Sequence, residues 1–122
     1  MTCRISVEDR ILYIDVTDTW DHAQALAAQA EAGALAKERG LARLLIDLSR
    51  ANILQSAVDV FNFTPTHARA FPIGMRHAVV ASGEFATGAD AQFGETVAAN
   101  SCVSMRVFSS RQEARAWLES EE

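Results

Sequence analysis

The residues best suited to chemistry lie at one junction, where an apolar run ends on Asp47 and a polar turn follows. Ser49 and Asn52 belong to this turn, and Ser56 stands where a helix could begin. In open α/β sheets such a junction falls at the carboxyl end of a buried strand, where these folds usually place their sites. The sequence therefore predicts a partner-binding or anion-binding site at Asp47, Ser49, Asn52 and Ser56.

Each of these residues has a structural interpretation beside the functional one. Asp47 can hold the turn by accepting N–H bonds from Ser49 or Arg50, as Asx turns do, and we favour this interpretation. A serine that begins a helix caps its free N–H groups, and the same position suits a bound or covalently attached phosphate. For Ser56 we favour simple capping.

Recognisable catalytic and metal-binding patterns are missing from the sequence. A catalytic carboxylate needs a second titrating partner, and only Asp18 and Glu84 follow neighbouring predicted strands. The three histidines are dispersed, and there is no HExxH, GxSxG, P-loop or GxGxxG. We therefore predict no catalytic residues, no metal site, no cofactor, and a chain that is not an enzyme.

Size and charge limit the remaining classes of function. The 122 residues, 49% of them hydrophobic, predict one domain over positions 1–122 with its own core. The net charge is −5 and the 11 Lys and Arg residues are dispersed, which argues against nucleic acid as a partner. No apolar run approaches the roughly 20 residues of a membrane span, and no signal peptide is apparent. The expected location is the cytoplasm.

Apolar periodicity predicts the first half of the fold. Residues 4–7 and Ile11–Val16 alternate, which is typical of a strand hairpin. Alanine-rich residues 20–39 predict a helix that ends at Gly40. The near-continuous apolar run 41–48 predicts a strand buried on both faces.

The predicted helix over 20–39 has two further features. Residues 17–19 offer N-cap side chains before Trp20. Leu26, Ala30, Gly33 and Ala34 lie along one helical face, where small side chains would allow close packing against a sheet.

The second half repeats the alternation of strands and helices. The predicted elements are a helix over 56–63, a strand over 77–81, a helix over 87–99, a strand over 103–107, and a final helix after a capping box from Ser110 to Glu113. This order predicts an α/β fold with a mostly parallel five-stranded sheet, an antiparallel edge strand and about four helices.

Aromatic residues follow the central strand. Phe61, Phe63 and Phe71 are expected mainly in the core, although they could instead line an apolar pocket made openable by Pro65 and Pro72. Sequence alone leaves both interpretations open.

The order of elements and two sequence patterns resemble the SpoIIAA-like proteins of the STAS/SEC14 group. The patterns are the strand end Leu-Leu-Ile-Asp-Leu-Ser at 44–49, and Glu-Thr-Val-Ala-Ala-Asn at 95–100 followed by Val107-Phe108 and Ala114-xx-Trp117-Leu118. The resemblance covers nearly the whole chain. It implies a STAS/SpoIIAA-like fold and a bacterial, non-enzymatic regulatory or protein-binding module.

The same resemblance bears on a phosphorylation switch. Anti-sigma-factor antagonists, relatives of this group, carry Asp-Ser-Ser-Gly, and a partner kinase phosphorylates the second serine. The matching positions here are Gln55, Ser56, Ala57 and Val58, of which only Ser56 agrees. The chain is therefore expected to lack the usual serine phospho-switch.

SEC14-type domains carry lipids, so the resemblance also allows an alternative function. In that alternative the chain binds or carries a small apolar or lipid-like ligand, with peripheral membrane contact. An edge strand further allows a homodimer. Cys3 and Cys102 have no metal-ligand spacing and are expected to be inert thiols.

Overall fold

The computed structural model describes residues 3–53, 71, 74–81 and 104–120. Its elements, in chain order, are β1 (Cys3–Glu8), β2 (Ile11–Val16), β3 (Thr19–Trp20), α1 (His22–Arg39), β4 (Arg43–Asp47), β5 (Asn52–Ile53), β6 (Arg76–Val80), β7 (Ser104–Phe108) and α2 (Arg111–Glu119).

Five strands form one mixed sheet in the order β1-β2-β4-β6-β7. β1 and β2 pair antiparallel, and the other three pairs are parallel. The predicted α/β class, the mostly parallel sheet and the antiparallel edge strand are confirmed. The helices expected over 56–63 and 87–99 lie outside the described residues.

Successive side chains along each strand point to opposite faces of the sheet, so the apolar core is divided between the two faces. Leu12, Ile14 and Val16 pack on one face with the alanines of α1. Ile11 and Tyr13 pack on the other face with Ala114 and Leu118 of α2. The central strand β4 contributes to both faces, which explains why its sequence is continuously apolar.

Helix α1 begins later than the sequence indicated. Its N-cap is Asp21, whose side chain accepts a hydrogen bond from the backbone N–H of Gln24 at 2.8 Å. The expected cap at residues 17–19 is wrong, because Thr19 and Trp20 pair with β5 as a short parallel strand. The end of the helix is confirmed, since Gly40 has φ 63° and donates to the carbonyl of Ala36.

The buried face of α1 also differs from the expectation. Leu26, Ala30 and Ala34 are exposed, and of the predicted face only Gly33 is buried. The face against the sheet is instead formed by Ala25, Ala28, Ala32 and Ala36. Alanines on every side leave little amphipathic contrast, so periodicity could not determine the rotation of this helix.

Helix α2 is anchored at both ends, and of the predicted capping box the bond to the Ser110 side chain is confirmed at the N-terminus. The Ser110 side chain accepts from the backbone N–H of Glu113 at 3.4 Å. At the C-terminus, Arg76 of β6 donates to the carbonyl oxygens of Trp117 and Ser120, both at 2.9 Å. The helix is thereby held along the sheet, and its first residue is fixed at the carboxyl edge.

His77 of β6 should make stability depend on pH. It is only 3% exposed and packs edge-on against Phe71, and burial lowers its pKa from 6.5 to about 4. Between those values the unfolded chain binds a proton that the folded chain does not, so the free energy of unfolding should fall as pH drops through this range. The loss from this residue is at most about 3 kcal/mol.

Urea unfolding from pH 7 to pH 4 measures this dependence. A His77→Gln variant is expected to show a flatter profile between pH 6.5 and about pH 4 than the wild type. Parallel profiles for the two proteins would contradict the attribution of this pH dependence to His77.

Candidate functional site

The site is organised around two aspartates at the ends of neighbouring parallel strands. Asp15 of β2 and Asp47 of β4 are directly paired in the register of the sheet. The Asp47 side chain is 9% exposed and that of Asp15 is 29% exposed. Two like charges so placed repel each other unless a cation lies between them.

Arg111, the first residue of α2, supplies that cation. Its Nη1 donates to Asp15 Oδ1 at 2.6 Å and to Asp47 Oδ2 at 2.8 Å. The guanidinium also lies over the ring of Tyr13, 4.9 Å from its centroid. We refer to these contacts as the Asp15–Arg111–Asp47 bridge.

The second carboxylate oxygen of Asp47 holds the turn that follows β4. Oδ1 accepts from the backbone N–H of Ser49 at 3.0 Å and from its hydroxyl at 2.6 Å. This geometry confirms the predicted Asx turn. Because both oxygens of Asp47 are engaged within the fold, this carboxylate is a structural group.

Hydrogen bonds and opposite charges together outweigh burial in setting the pKa values of Asp47 and Arg111. Burial alone raises the pKa of Asp47, but bonds from Ser49 and Arg111 and the positive charge of Arg111 hold that pKa below its ordinary value of 3.8. For Arg111, burial lowers the pKa, while the bonds and charges of Asp15 and Asp47 raise it overall. Asp47 and Arg111 are therefore charged at neutral pH.

The remaining predicted site residues are placed as follows. Ser49 is half-buried against Asp47, whereas Asn52 is exposed in β5 and its backbone N–H donates to the carbonyl of Asp18 at 2.8 Å. Ser56 and Glu84 lie outside the described residues. In the part of the chain that the structure describes, no group of three His, Cys, Asp or Glu side chains could hold a metal ion.

The residues considered for an apolar pocket are only partly described. Phe71 is 3% exposed and belongs to the core cluster on the α1 face of the sheet. Phe61 and Phe63 lie outside the described residues, so the pocket stays a prediction. Neither described helix is long and apolar enough to cross a membrane.

Cys3 is a half-buried free thiol whose pKa is raised by burial, by Glu31 and by Asp15. It is therefore protonated and weakly nucleophilic at neutral pH. Cys102 lies outside the described residues.

Sequence reasoning missed Asp15 and Arg111 as members of the site. One signal for Asp15 was available, since it is the next-to-last residue of a predicted strand, on the same face as Tyr13. Arg111 carried a weaker signal, because a cation directly after a helix N-cap opposes the helix dipole and needs a local anion.

Comparison with solved structures identifies the fold. An anti-sigma factor antagonist from Mycobacterium paratuberculosis is 16% identical, with a TM-score of 0.67 over 98% of this chain and 94% of that chain. SpoIIAA in its unphosphorylated form, also an anti-sigma factor antagonist, is 11% identical, with a TM-score of 0.62 over 93% and 94% of the two chains. The chain has a SpoIIAA-like fold.

A further protein with a SpoIIAA-like fold, an uncharacterized one from Shewanella loihica, is 16% identical, with a TM-score of 0.57 over 95% and 91% of the two chains. No protein-family model matches the sequence, and no curated protein matches it significantly. At these identities the likeness establishes the SpoIIAA-like architecture, as the sequence patterns had indicated.

Removing the Arg111 side chain should destabilise the SpoIIAA-like domain, because the Asp15–Arg111–Asp47 bridge is lost. Arg111→Ala is expected to lower the free energy of unfolding at pH 7 by about 1–2 kcal/mol, because the partly buried Asp47 keeps its bonds from Ser49 but loses the cation between it and Asp15. Urea unfolding of Arg111→Ala, Asp47→Asn and the double variant should give a coupling energy of about 1 kcal/mol.

Arg115→Ala is the matched control on the same helix. Arg115 also bridges two carboxylates, those of Asp9 and Glu119, but all three side chains are well exposed. Its substitution should have a much smaller effect. Equal effects at positions 111 and 115, or no coupling between Arg111 and Asp47, would contradict a structural role for the bridge.

Proposed function

We propose that the chain is a non-enzymatic regulatory module that acts by binding a protein partner at the carboxyl edge of its sheet. The observation that carries the proposal is the shared architecture with two anti-sigma factor antagonists, over 98% and 93% of this chain. By analogy with these neighbours, the partner would be an anti-sigma factor. Ser49, Asn52 and Ser56 would provide the polar contacts.

The geometry of the turn after β4 supports this function. Asp47 fixes the turn through two bonds from Ser49, and the β3–β5 pairing holds Asn52 directly beyond it. A turn held in this way presents an exposed side chain at little entropic cost on binding. With Asp47 engaged by Ser49 and Arg111, its carboxylate contributes rigidity rather than acid–base chemistry.

The proposed module works without the serine switch. Ala57 occupies the position of the phosphorylated serine, and Gln55 and Val58 replace the flanking Asp and Gly of the motif. The amount of complex with the partner would then be set by the concentration of each protein or by other signals. A kinase that phosphorylated Ser56 and thereby released the partner would contradict this part of the proposal.

Several finer expectations accompany the proposal. We place the module in the cytoplasm, and a homodimer through the edge strand β1 is compatible with its free edge in the described sheet. The alternative of a lipid-like ligand with peripheral membrane contact has less support, because Phe71 packs into the core. Native mass measurement of protein purified from its own cells would reveal a bound lipid or a dimer.

Binding to the anti-sigma factors encoded in the same genome tests the proposal. Asn52→Trp places a bulky side chain on the exposed turn and is expected to weaken binding at least tenfold, or about 1.4 kcal/mol. Ala34→Trp, on the exposed face of α1, is the matched control and should leave affinity unchanged. Titration calorimetry with purified proteins provides the affinities.

Ser56→Asp in the same assay examines the missing switch. It alters one polar contact and is expected to weaken binding only slightly, without releasing the partner. If none of the anti-sigma factors bound the wild-type chain, the proposed function would be wrong. Equal weakening by Asn52→Trp and Ala34→Trp would instead exclude the carboxyl edge as the binding surface.

A further inference from the structure

A groove at the carboxyl edge of the sheet gathers positive charge from three separate elements. It has a volume of about 420 Å³ and is lined by Arg4, Asp15, Thr17, Arg50 and Arg111. Arg4 comes from β1, Arg50 from the turn after β4, and Arg111 from the start of α2. We call it the arginine groove.

The topology of the fold brings these arginines together. Because β1 runs antiparallel to β2, its beginning lies at the carboxyl end of the parallel strands, and Arg4 is paired with Asp15 in the register. Arg50 follows the Asx turn closed by Asp47 and Ser49. Arg111 is held in place by the Asp15–Arg111–Asp47 bridge.

Two of the three guanidinium groups have spare binding capacity. Arg4 and Arg50 are exposed, and neither forms an ion pair with another described residue. Among the described residues, the three arginines that line the groove outnumber by one the two aspartates that bond to Arg111, on a chain whose net charge is −5. An excess of positive charge of this kind attracts an anionic group.

We propose that the arginine groove binds carboxylate side chains presented by an acidic segment of the partner protein. This inference rests on the proposed function and specifies the chemistry of that partner. Guanidinium groups pair with carboxylates through two parallel hydrogen bonds, a geometry that Arg4 and Arg50 are free to adopt. The groove is larger than a single carboxylate and lies within the usual size range of ligand sites.

A short acidic peptide tests the inference without any partner protein. The probe is Glu-Glu blocked at both ends, titrated at low ionic strength into the wild-type chain while NMR follows the backbone and arginine side-chain resonances. We expect saturable shifts at residues lining the groove. Arg4→Ala or Arg50→Ala should each weaken binding roughly five- to tenfold, and added salt should weaken it further.

Arg39→Ala provides a control with the same change of charge. Arg39 is exposed in the last turn of α1, just before the chain enters β4 at the opposite edge of the sheet. This variant should bind the peptide within about twofold of wild type, since an exposed distant charge contributes little. Arg111 is left intact in all variants, because it belongs to the bridge.

Three outcomes would overturn the inference. One is no saturable binding of the Glu-Glu peptide, or equal binding of a blocked Gln-Gln peptide. Another is the same loss in Arg39→Ala as in the groove variants. The third is much tighter binding of inorganic phosphate to the same residues, which would identify a phosphate site. None of these outcomes decides whether an anti-sigma factor binds at Asn52, so the two proposals can fail separately.

Discussion

The rest of the structure depends on the charge balance between Asp15, Asp47 and Arg111. Parallel pairing of β2 and β4 places two aspartates side by side at the carboxyl edge, and one guanidinium bonds to both at 2.6 and 2.8 Å. Arg111, which carries that guanidinium, is the first residue of α2, so the same contact fixes where the helix meets the sheet. The other oxygen of Asp47 closes the turn toward β5. A single bridge thus couples two strands, a helix and a turn.

This arrangement makes an apparently reactive edge of the sheet compatible with the proposed recognition of a protein partner. A buried aspartate at a strand end is typical of catalytic sites, but here both its oxygens are engaged by the fold. What the edge offers to a partner is an ordered turn with Asn52 exposed, and beside it a groove with Arg4 and Arg50 free of ion pairs within the described residues. The proposed binding of an acidic segment of a partner protein rests on these two features.

Local sequence signals predicted the architecture well and the site only in part. Alternation in β2, the apolar run of β4 and the cap at Ser110 each depend on neighbouring residues, and all are confirmed. The rotation of α1 was wrong because its alanines gave no contrast between faces. The partnership of Asp47 with Arg111 spans 64 positions and depends on how α2 packs, which no local pattern encodes.

The titration of the Asp47 carboxyl group, followed by carbon-13 NMR, tests the central role of the bridge most directly. The account predicts a pKa below the ordinary value of 3.8 in the wild-type chain, because Ser49 and Arg111 stabilise the carboxylate more than burial destabilises it. In Arg111→Ala the pKa should rise, since burial is then opposed by the bonds from Ser49 alone. A wild-type pKa at or above 3.8, or one unaffected by removal of Arg111, would contradict the account.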